Sequence, residues 1–413
     1  MSQTAPAPTV PPPPRPAVRL YGLLLALTIA GGCQPDTGST PDAFEDNLWT
    51  LSERELRIGS VDDPDYLIGF IAGMALGPDG LLYTLEWGEG SIRRWTPDGA
   101  PAGTIGRMGE GPGEFEQPTD LGFFGDSLWV WDMDAYRVNY FDLDGEFLGS
   151  VSPKVQFGSA GQSPPRPGTP LRDGTFIGTS PAWSHAIANG TLTESMYAHM
   201  DVDGNILAEI WAMPLEPRDQ FAIMNEDGFG GRYGNQPFGD GYSASIGNDD
   251  LLVLEARAWT GTGDPAVKVT KIGLNGDTVF TAPVPYDPVP LSAERFDSAV
   301  AAMVEDWSGF GEPVAEARIR EEMYRPAYLP AVARLMRAAD GTIWLRRFDP
   351  VESEDGESMI ESWVLDAGGA PLARALFPAD VRVAVIDGET VWGIEMDELD
   401  VQYIVRYRLV KGG

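Results

Sequence analysis

Short runs in which apolar and polar residues alternate recur along the chain at a fixed interval. Residues 80–86 align without a gap on residues 126–132, 46 positions later. A turn follows in each unit, at Gly99 and Gly145, 19 positions after the first aligned residue. Alternation of period two that is broken by Asp-Gly turns is typical of β-hairpins. Two hairpins per repeat predict a four-stranded sheet, whose strands we call A to D.

The same pattern continues through the rest of the chain with longer spacers. Six units result, of which the last four begin near Asp173, Asp249, Asp340 and Asp387. The sixth unit ends with the alternating residues 403–409 and lacks a fourth strand, whereas residues 49–58 alternate but belong to no unit. We therefore predict that this first strand completes the last sheet and removes an exposed edge. The predicted fold is all-β, a single six-bladed β-propeller over residues 49–413, because a β-sandwich with insertions would not explain the repeat.

Long spacers fall almost entirely on one side of the predicted ring. The A–B and C–D turns stay short, whereas the B–C and D–A connections carry insertions, at residues 178–195, 213–242, 257–265, 283–325 and 349–358. We call this side the insertion face and the opposite side the turn face. Insertions on one face of a repeat ring usually mark its binding face. After blade 4, Ser292 is a helix cap and apolar residues follow at helical spacing, which predicts a small helical insertion over residues 291–325, between blades 4 and 5. These helices would either form a lid over the channel mouth or cover the rim.

The net charge of the chain excludes one class of partner. Twenty-nine basic residues against 62 acidic ones give a charge of −33. A chain this acidic is repelled by phosphate backbones, so we predict no nucleic-acid partner. Apolar residues make up 43% of the chain, which is enough for a sizeable core. We expect a monomer.

The first 33 residues have the features of a secretory signal. Two arginines precede an apolar run at residues 21–30, which is too short to cross a bilayer as a helix, and small residues lead to Cys33, the only cysteine. Residues 29–33 resemble the lipobox of bacterial lipoproteins, in which the cysteine is acylated and becomes the new N-terminus. The resemblance implies export and a lipid anchor in the cell envelope through Cys33. Residues 34–48 would then be a flexible tether, and Gln34 favours the outer membrane over the inner one.

One segment carries a second family resemblance. The glycine-rich residues 106–118 and the strands that follow resemble an NHL-type repeat, and the chain is similar to uncharacterised six-bladed propeller lipoproteins of bacteria. The resemblance is good over residues 71–152 and recognisable over residues 326–350. The resemblance implies the propeller fold but indicates almost nothing about the activity. The residues that carry it, which we expect to be structural, are Gly106, Gly111, Phe115 and Arg137.

Candidate chemistry lies at the ends of the B strands, on the insertion face. Aligning the units places an acid there in units 1, 2, 4 and 6, and an arginine in unit 5: Glu86, Asp132, Glu255, Glu395 and Arg347. Four carboxylates that converge on one mouth would bind Ca²⁺, or a cationic or polyhydroxylated ligand. Alternatively, each acid accepts hydrogen bonds from nearby backbone or from an arginine, as Asp132 could from Arg137.

The sequence contains no evident catalytic constellation. His185, in the B–C spacer of unit 3, is a candidate to line the mouth, but two histidines cannot form a three-histidine zinc site. We therefore predict a lipid-anchored envelope protein that binds a ligand or a protein partner on its insertion face, without catalysis. One alternative is a calcium-dependent hydrolase resembling the six-bladed lactonases, with the four acids as metal ligands and His185 as the base. The other is a scaffold subunit of an envelope protein complex.

Overall fold

The computed structural model describes Phe44 and residues 47–157, 164–224, 231–308, 314–352 and 356–412 of the 413-residue chain. Cys33 and the predicted signal segment lie outside the described residues. Where the structure describes the chain it is mainly β, and none of the helices there has the length and apolarity that a membrane crossing requires.

Two short strands begin the described chain, β1 (Leu48–Leu51) and β2 (Leu56–Ile58). Four antiparallel sheets follow, each with four strands in chain order. Unit 1 contains β3–β6 (Ile71–Leu76, Leu82–Glu86, Ile92–Trp95, Pro101–Ile105), and unit 2 contains β7–β10 (Pro118–Phe124, Ser127–Asp132, Arg137–Asp142, Phe147–Val151). Unit 3 contains β11–β14 (Arg166–Pro170, Phe176–Thr179, Glu194–Met200, Ile206–Pro214). A separate hairpin, β15 (Gln220–Met224) and β16 (Gly231–Asn235), precedes unit 4, which contains β17–β20 (Tyr242–Ile246, Asp250–Glu255, Ala266–Gly273, Thr278–Pro285).

Units 5 and 6 share one nine-stranded sheet. Unit 5 contains β21–β24 (Val332–Arg337, Ile343–Glu352, Ser358–Leu365, Pro371–Pro378), and unit 6 contains β25–β27 (Arg382–Asp387, Thr390–Met396, Gln402–Lys411). Strand β1 lies between them, antiparallel to β27 and parallel to β24, and β2 continues along β27 with Ile58 opposite Ile404. The predicted pairing of residues 49–58 with the last strand is confirmed. The parallel pairing with β24 is an additional contact that the sequence pattern did not predict.

The B strands are buried on both faces, and each contacts both neighbouring units. Their side chains alternate between the two interfaces: in unit 5, Leu345 packs in a cluster with unit 4, whereas Trp344 packs with unit 6. The same alternation is found in the other units, and Leu82 of unit 1 packs with Ile394 of unit 6. Burial on both faces explains why the B strands are continuous apolar runs. The sheets are therefore arranged like the blades of a β-propeller, and four tryptophans of the B strands are buried in the interfaces: Trp129, Trp131, Trp344 and Trp392.

The insertions form a small separate layer. Helix α1 (Ser184–Ala188) lies in unit 3, and α2 (Ala293–Ser308) and α3 (Glu316–Glu322) lie between units 4 and 5, as predicted. Ser292 caps α2, since its Oγ accepts the backbone N–H of Arg295 at 3.2 Å. Phe296 and Ile319 of these helices pack against Phe221 of β15. Residues 213–242, predicted to be a plain connection, thus contain the β15–β16 hairpin, on which the helices rest.

Two residues of the predicted tether are attached to the sheets. Phe44 is buried in the interface between units 4 and 5, with its ring centroid 6.2 Å from that of Trp363. The side-chain amide of Asn47 donates to the carbonyl of Leu372 at 2.9 Å. At these two positions the segment is therefore packed against the fold.

Candidate functional site

Two of the four predicted acids accept hydrogen bonds from the backbone of the connection that precedes the first strand of their own unit. Glu86 is buried, and its Oε2 accepts the backbone N–H of Gly69 at 2.8 Å while Arg93 lies 3.3 Å from Oε1. Asp132 is also buried and accepts the backbone N–H of Gln117 at 2.7 Å. The backbone donors of both acids lie just before the first strand of the unit, so these carboxylates join the B strand to the D–A connection.

The other two acids also have partners close by. Glu395 Oε2 lies 2.6 Å from Arg54 Nη1, and the hydroxyl of Tyr407 donates to Oε1 at 2.5 Å. Burial and the bond to Glu395 raise the pKa of Tyr407 above its usual value. Glu255 lies 3.3 Å from Lys268 Nζ. No three His, Cys, Asp or Glu side chains in the described chain are grouped so that they could hold a metal ion. The arrangement corresponds to the alternative in which each acid accepts local hydrogen bonds, and not to four ligands around one calcium ion.

The remaining candidates on the insertion face are dispersed. Arg347 Nη1 lies 3.5 Å from Glu361 Oε1, and its guanidinium stacks over the ring of Trp363 at 5.2 Å. His185 lies in α1 and lines a cavity of about 470 Å³ together with Tyr324.

The residues of the glycine-rich motif fix the loop between units 1 and 2. Gly106 has φ +72°, and a Cβ atom there would lie 2.2 Å from the ring of the fully buried Phe115. The backbone N–H of Gly111 donates to the carboxylate of Glu114 at 2.8 Å, and Arg137 donates to the carbonyl of Glu114, also at 2.8 Å. The structural role that the resemblance implies for these positions fits this geometry.

A cleft between units 5 and 6 brings together three arginines that the sequence did not single out. Its volume is about 290 Å³. We call it the arginine cleft, and the lining residues that matter here are Arg334, Arg346, Arg382, Ser362, Asp380, Met336, Trp344, Ile360, Phe377, Val381 and Val383. The cleft extends from the first strands of both units to the last strand of unit 5.

Strand register places the arginines in the interface between the two units. Arg334 on β21 is directly opposite Arg346 on β22, which is opposite Ser362 on β23. Residues that are directly opposite present their side chains on the same face of a sheet. The next row of this face contains Trp344 and Val364, which pack against unit 6. The apolar interface between units 5 and 6 is thus interrupted by a row of two arginines and a serine.

The third arginine comes from unit 6. Arg382 is the first residue of β25, and its Nη2 donates to the carbonyl of Ile71 at 3.1 Å. The D–A connection that precedes β25 supplies Asp380 and Val381 to the same cleft. Because this connection belongs to the insertion face, the arginine cleft adjoins the face that the spacer pattern predicts for binding.

The three arginines of the cleft form no ion pairs in the described part of the chain, although Asp380 also lines the cleft. Within the described residues, no carboxylate lies within 4 Å of a guanidinium nitrogen of Arg334, Arg346 or Arg382, although most other arginines have such a partner. Burial, together with the positive charge of Arg334, lowers the pKa of Arg346, and the same two causes lower the pKa of Arg382. Like charges directly across a strand pair are destabilising. The fold therefore retains the half-buried Arg346 opposite the exposed Arg334 at a cost, with the exposed Arg382 at the edge of the same cleft.

The walls beside the arginines are apolar. The rings of Trp344 and Phe377 lie 5.7 Å apart at an interplanar angle of 54°. Ile360, opposite Phe377, and Met336, opposite Trp344, complete the two rows on either side of the arginines. Ligand pockets are typically lined by apolar side chains with a few placed polar groups. The arginine cleft has this composition, with cationic groups that would orient an anion.

Comparisons with known proteins give no family for this chain. No family model matches it, and neither does any curated protein. Among solved structures, a member of the DUF4221 family from Bacteroides vulgatus is 13% identical, with 89% of this chain and 99% of that chain covered and a TM-score of 0.46. The PQQ-bound aldose sugar dehydrogenase of Streptomyces coelicolor is 12% identical (88% and 98% covered, TM-score 0.40). Virginiamycin B lyase of Staphylococcus aureus is 15% identical (88% and 100% covered, TM-score 0.37). Similarity at this level says nothing about activity, and the propeller-like arrangement rests on the strand pairing and packing described above.

Proposed function

We propose that this protein binds a small anionic ligand in the arginine cleft, without catalysis. The observation that carries the proposal is the meeting of Arg334, Arg346 and Arg382 around one cavity without a carboxylate partner in the described chain. In a chain with a net charge of −33, acidic side chains are abundant, and one of them, Asp380, lines the cleft; that none of the described acids forms an ion pair with these three arginines is therefore a specific feature.

The chemistry of arginine supports an anionic ligand. A guanidinium group presents several donors in a planar fork that matches carboxylate, sulfonate and phosphate oxygens. An anion between Arg334 and Arg346 would convert their mutual repulsion into two charge-assisted interactions. Because Arg346 is half-buried, its interaction with the anion is stronger than one on an open surface.

The proposal includes a six-bladed ring. Units 5 and 6 count as separate blades that β1 joins at their outer strands, and the alternation of B-strand side chains between neighbours in all six units supports this count. A lipid anchor at Cys33 in the cell envelope, with the outer membrane favoured, belongs to the same proposal and is supported by the sequence features of residues 21–34. The protein would then be an anchored binding protein that takes up its ligand beside the insertion face.

Calorimetric melting of the purified protein tests the binding of anions. Sulfate, phosphate or benzoate replaces chloride at constant ionic strength, and the melting temperature is compared between wild type and Arg346→Met. Sulfate and phosphate stabilise proteins in general, so only the difference between the two proteins counts. We expect at least one of these anions to stabilise the wild type more than the variant.

A matched control replaces an arginine outside the cleft. Arg408 is exposed and pairs with Glu55, and Arg408→Met should respond to anions like the wild type. If no anion distinguishes the wild type from Arg346→Met, the proposed function is wrong.

A further inference from the structure

We infer that the ligand of the arginine cleft is an amphipathic organic anion, with an aromatic or branched aliphatic body attached to one carboxylate, sulfonate or phosphate group. The inference rests on the proposed function and adds the class of ligand to it. The observation that carries it is the order of side chains across the cleft.

Apolar rows lie on both sides of the arginine row. Arg334 and Arg346 form the central row, Met336 and Trp344 form the row toward the turn face, and Ile360 with Phe377 lies on the other side. Val381 and Val383 of unit 6 form the facing wall. A ligand whose charge rests on the central row therefore meets apolar surface on either side of that charge.

The size of the cleft also favours an organic ligand. A volume of about 290 Å³ is at the lower end of the range for small-molecule sites. A four-oxygen anion fills only a fraction of this space. An aromatic or branched body would remove its own apolar surface from water by packing against the cleft walls, in which Trp344 and Phe377 are almost fully buried and Met336 is half-buried, and each methylene buried in this way is worth about fourfold in affinity. An aryl-substituted anion should thus bind about 10- to 100-fold more tightly than the corresponding inorganic anion.

Isothermal titration calorimetry with three probes tests the inference. The probes are sulfate, benzenesulfonate and the neutral benzenesulfonamide, each titrated into the purified protein at constant ionic strength. We expect benzenesulfonate to bind at least tenfold more tightly than sulfate, and benzenesulfonamide to bind at least tenfold more weakly than benzenesulfonate. Arg346→Met should weaken the binding of both anions.

Variants of the apolar rows separate the inference from the proposed function. Met336 is half-buried in the cleft, and Met336→Gln should reduce the affinity for benzenesulfonate at least fivefold more than the affinity for sulfate. Met336→Leu should retain the affinity for benzenesulfonate. The matched control is Met396→Gln, which changes an exposed methionine at the end of β26, outside the cleft, and should alter neither affinity.

Each of the other outcomes contradicts either the class of ligand or the proposed function. Equal binding of sulfate and benzenesulfonate, with no effect of Met336→Gln, overturns the class of ligand but leaves anion binding intact. Tight binding of benzenesulfonamide shows that charge is irrelevant and overturns both. Absence of binding by both anions overturns the proposed function, and the inference with it.

Discussion

Replacing Arg346 by methionine should stabilise the protein in the absence of a ligand. The side chain of Arg346 is half-buried opposite Arg334, and burial and that neighbouring charge both lower the pKa of its guanidinium. Methionine keeps an unbranched stem of similar length beside Trp344 while it removes the charge. Most substitutions of a partly buried residue destabilise a protein, so a gain in stability would be a distinctive result.

The expected magnitude follows from the strand pair. Directly opposite like charges cost up to about 1 kcal/mol in the free energy of unfolding. With an unfolding entropy of about 2.1 cal/mol/K per residue, a fold of this size changes its melting temperature by roughly 1 °C for that energy. A ligand at one hundred times its dissociation constant adds about 2.7 kcal/mol, or roughly 3 °C, to the wild type alone. The order of stability of the two proteins should therefore reverse when a bound anion is present.

Calorimetric melting with and without benzenesulfonate measures this reversal. In a buffer that contains only chloride, Arg346→Met should melt about 1 °C higher than the wild type, and with saturating benzenesulfonate it should melt lower. Arg408→Met, which loses an exposed ion pair with Glu55, should be equal to the wild type or slightly less stable in both conditions. A lower melting temperature for Arg346→Met without ligand would refute the reasoning, because Arg346 would then make a favourable structural interaction.

Further predictions concern charge and packing elsewhere. Arg257→Met should lower the free energy of unfolding by about 3 kcal/mol, because it leaves the buried Asp240, 3.2 Å away, without this partner; Arg257→Lys should recover part of the loss in urea unfolding. Trp49→Ala should cost about 3–5 kcal/mol in the same assay, since Trp49 is buried against Trp344 at 5.8 Å, and a loss below 1 kcal/mol would show that closure by β1 contributes little. The protein atoms packed around Asp120 desolvate its carboxylate and raise its pKa to about 6, although water still reaches this side chain; protonation of Asp120 should therefore stabilise the fold fully below about pH 4, and this contribution should disappear as the pH rises through 6. Asp120→Asn should abolish that part of the pH dependence, whereas an unchanged profile would exclude Asp120 as its source. Because the four B-strand acids have protein partners, millimolar Ca²⁺ should leave the melting temperature unchanged, and a rise of several degrees would restore the calcium hypothesis.

Alternation along one strand was sufficient to predict most of the sheet structure. In unit 2, alternation in the sequence predicts strands at residues 118–124, 128–133, 137–143 and 147–152, and these agree with β7–β10 to within one residue at each end. Asp-Gly turns determine where these strands end. Because the B strands are buried on both faces, each is a continuous apolar run that is easy to recognise in the sequence. The β15–β16 hairpin was missed because its second strand, Gly231–Asn235, is glycine-rich and has no alternation of apolar and polar residues.

The arginine cleft could not be predicted because it depends on register between strands. A bulge between Val332 and Arg334 determines which face of β21 the arginine occupies, and sequence alternation in a single strand does not show this. A second obstacle is that arginines on an inner strand look like solvent-facing residues in a sequence. The predicted carboxylates failed to converge for a physical reason: a buried acid binds the nearest backbone donors, as Asp132 does with the N–H of Gln117.

Strand β1 has a mechanical consequence for the whole ring. It has three residue pairs with β24 and three with β27, and the chain enters it from Asn47. Tension applied at that end acts along the strand, so the hydrogen bonds on both edges are sheared together and are not peeled apart one at a time. The force is also divided between the strands of two units, 5 and 6. A chain fastened by its N-terminus would therefore resist extraction at this point more strongly than one whose terminal strand had a single neighbour.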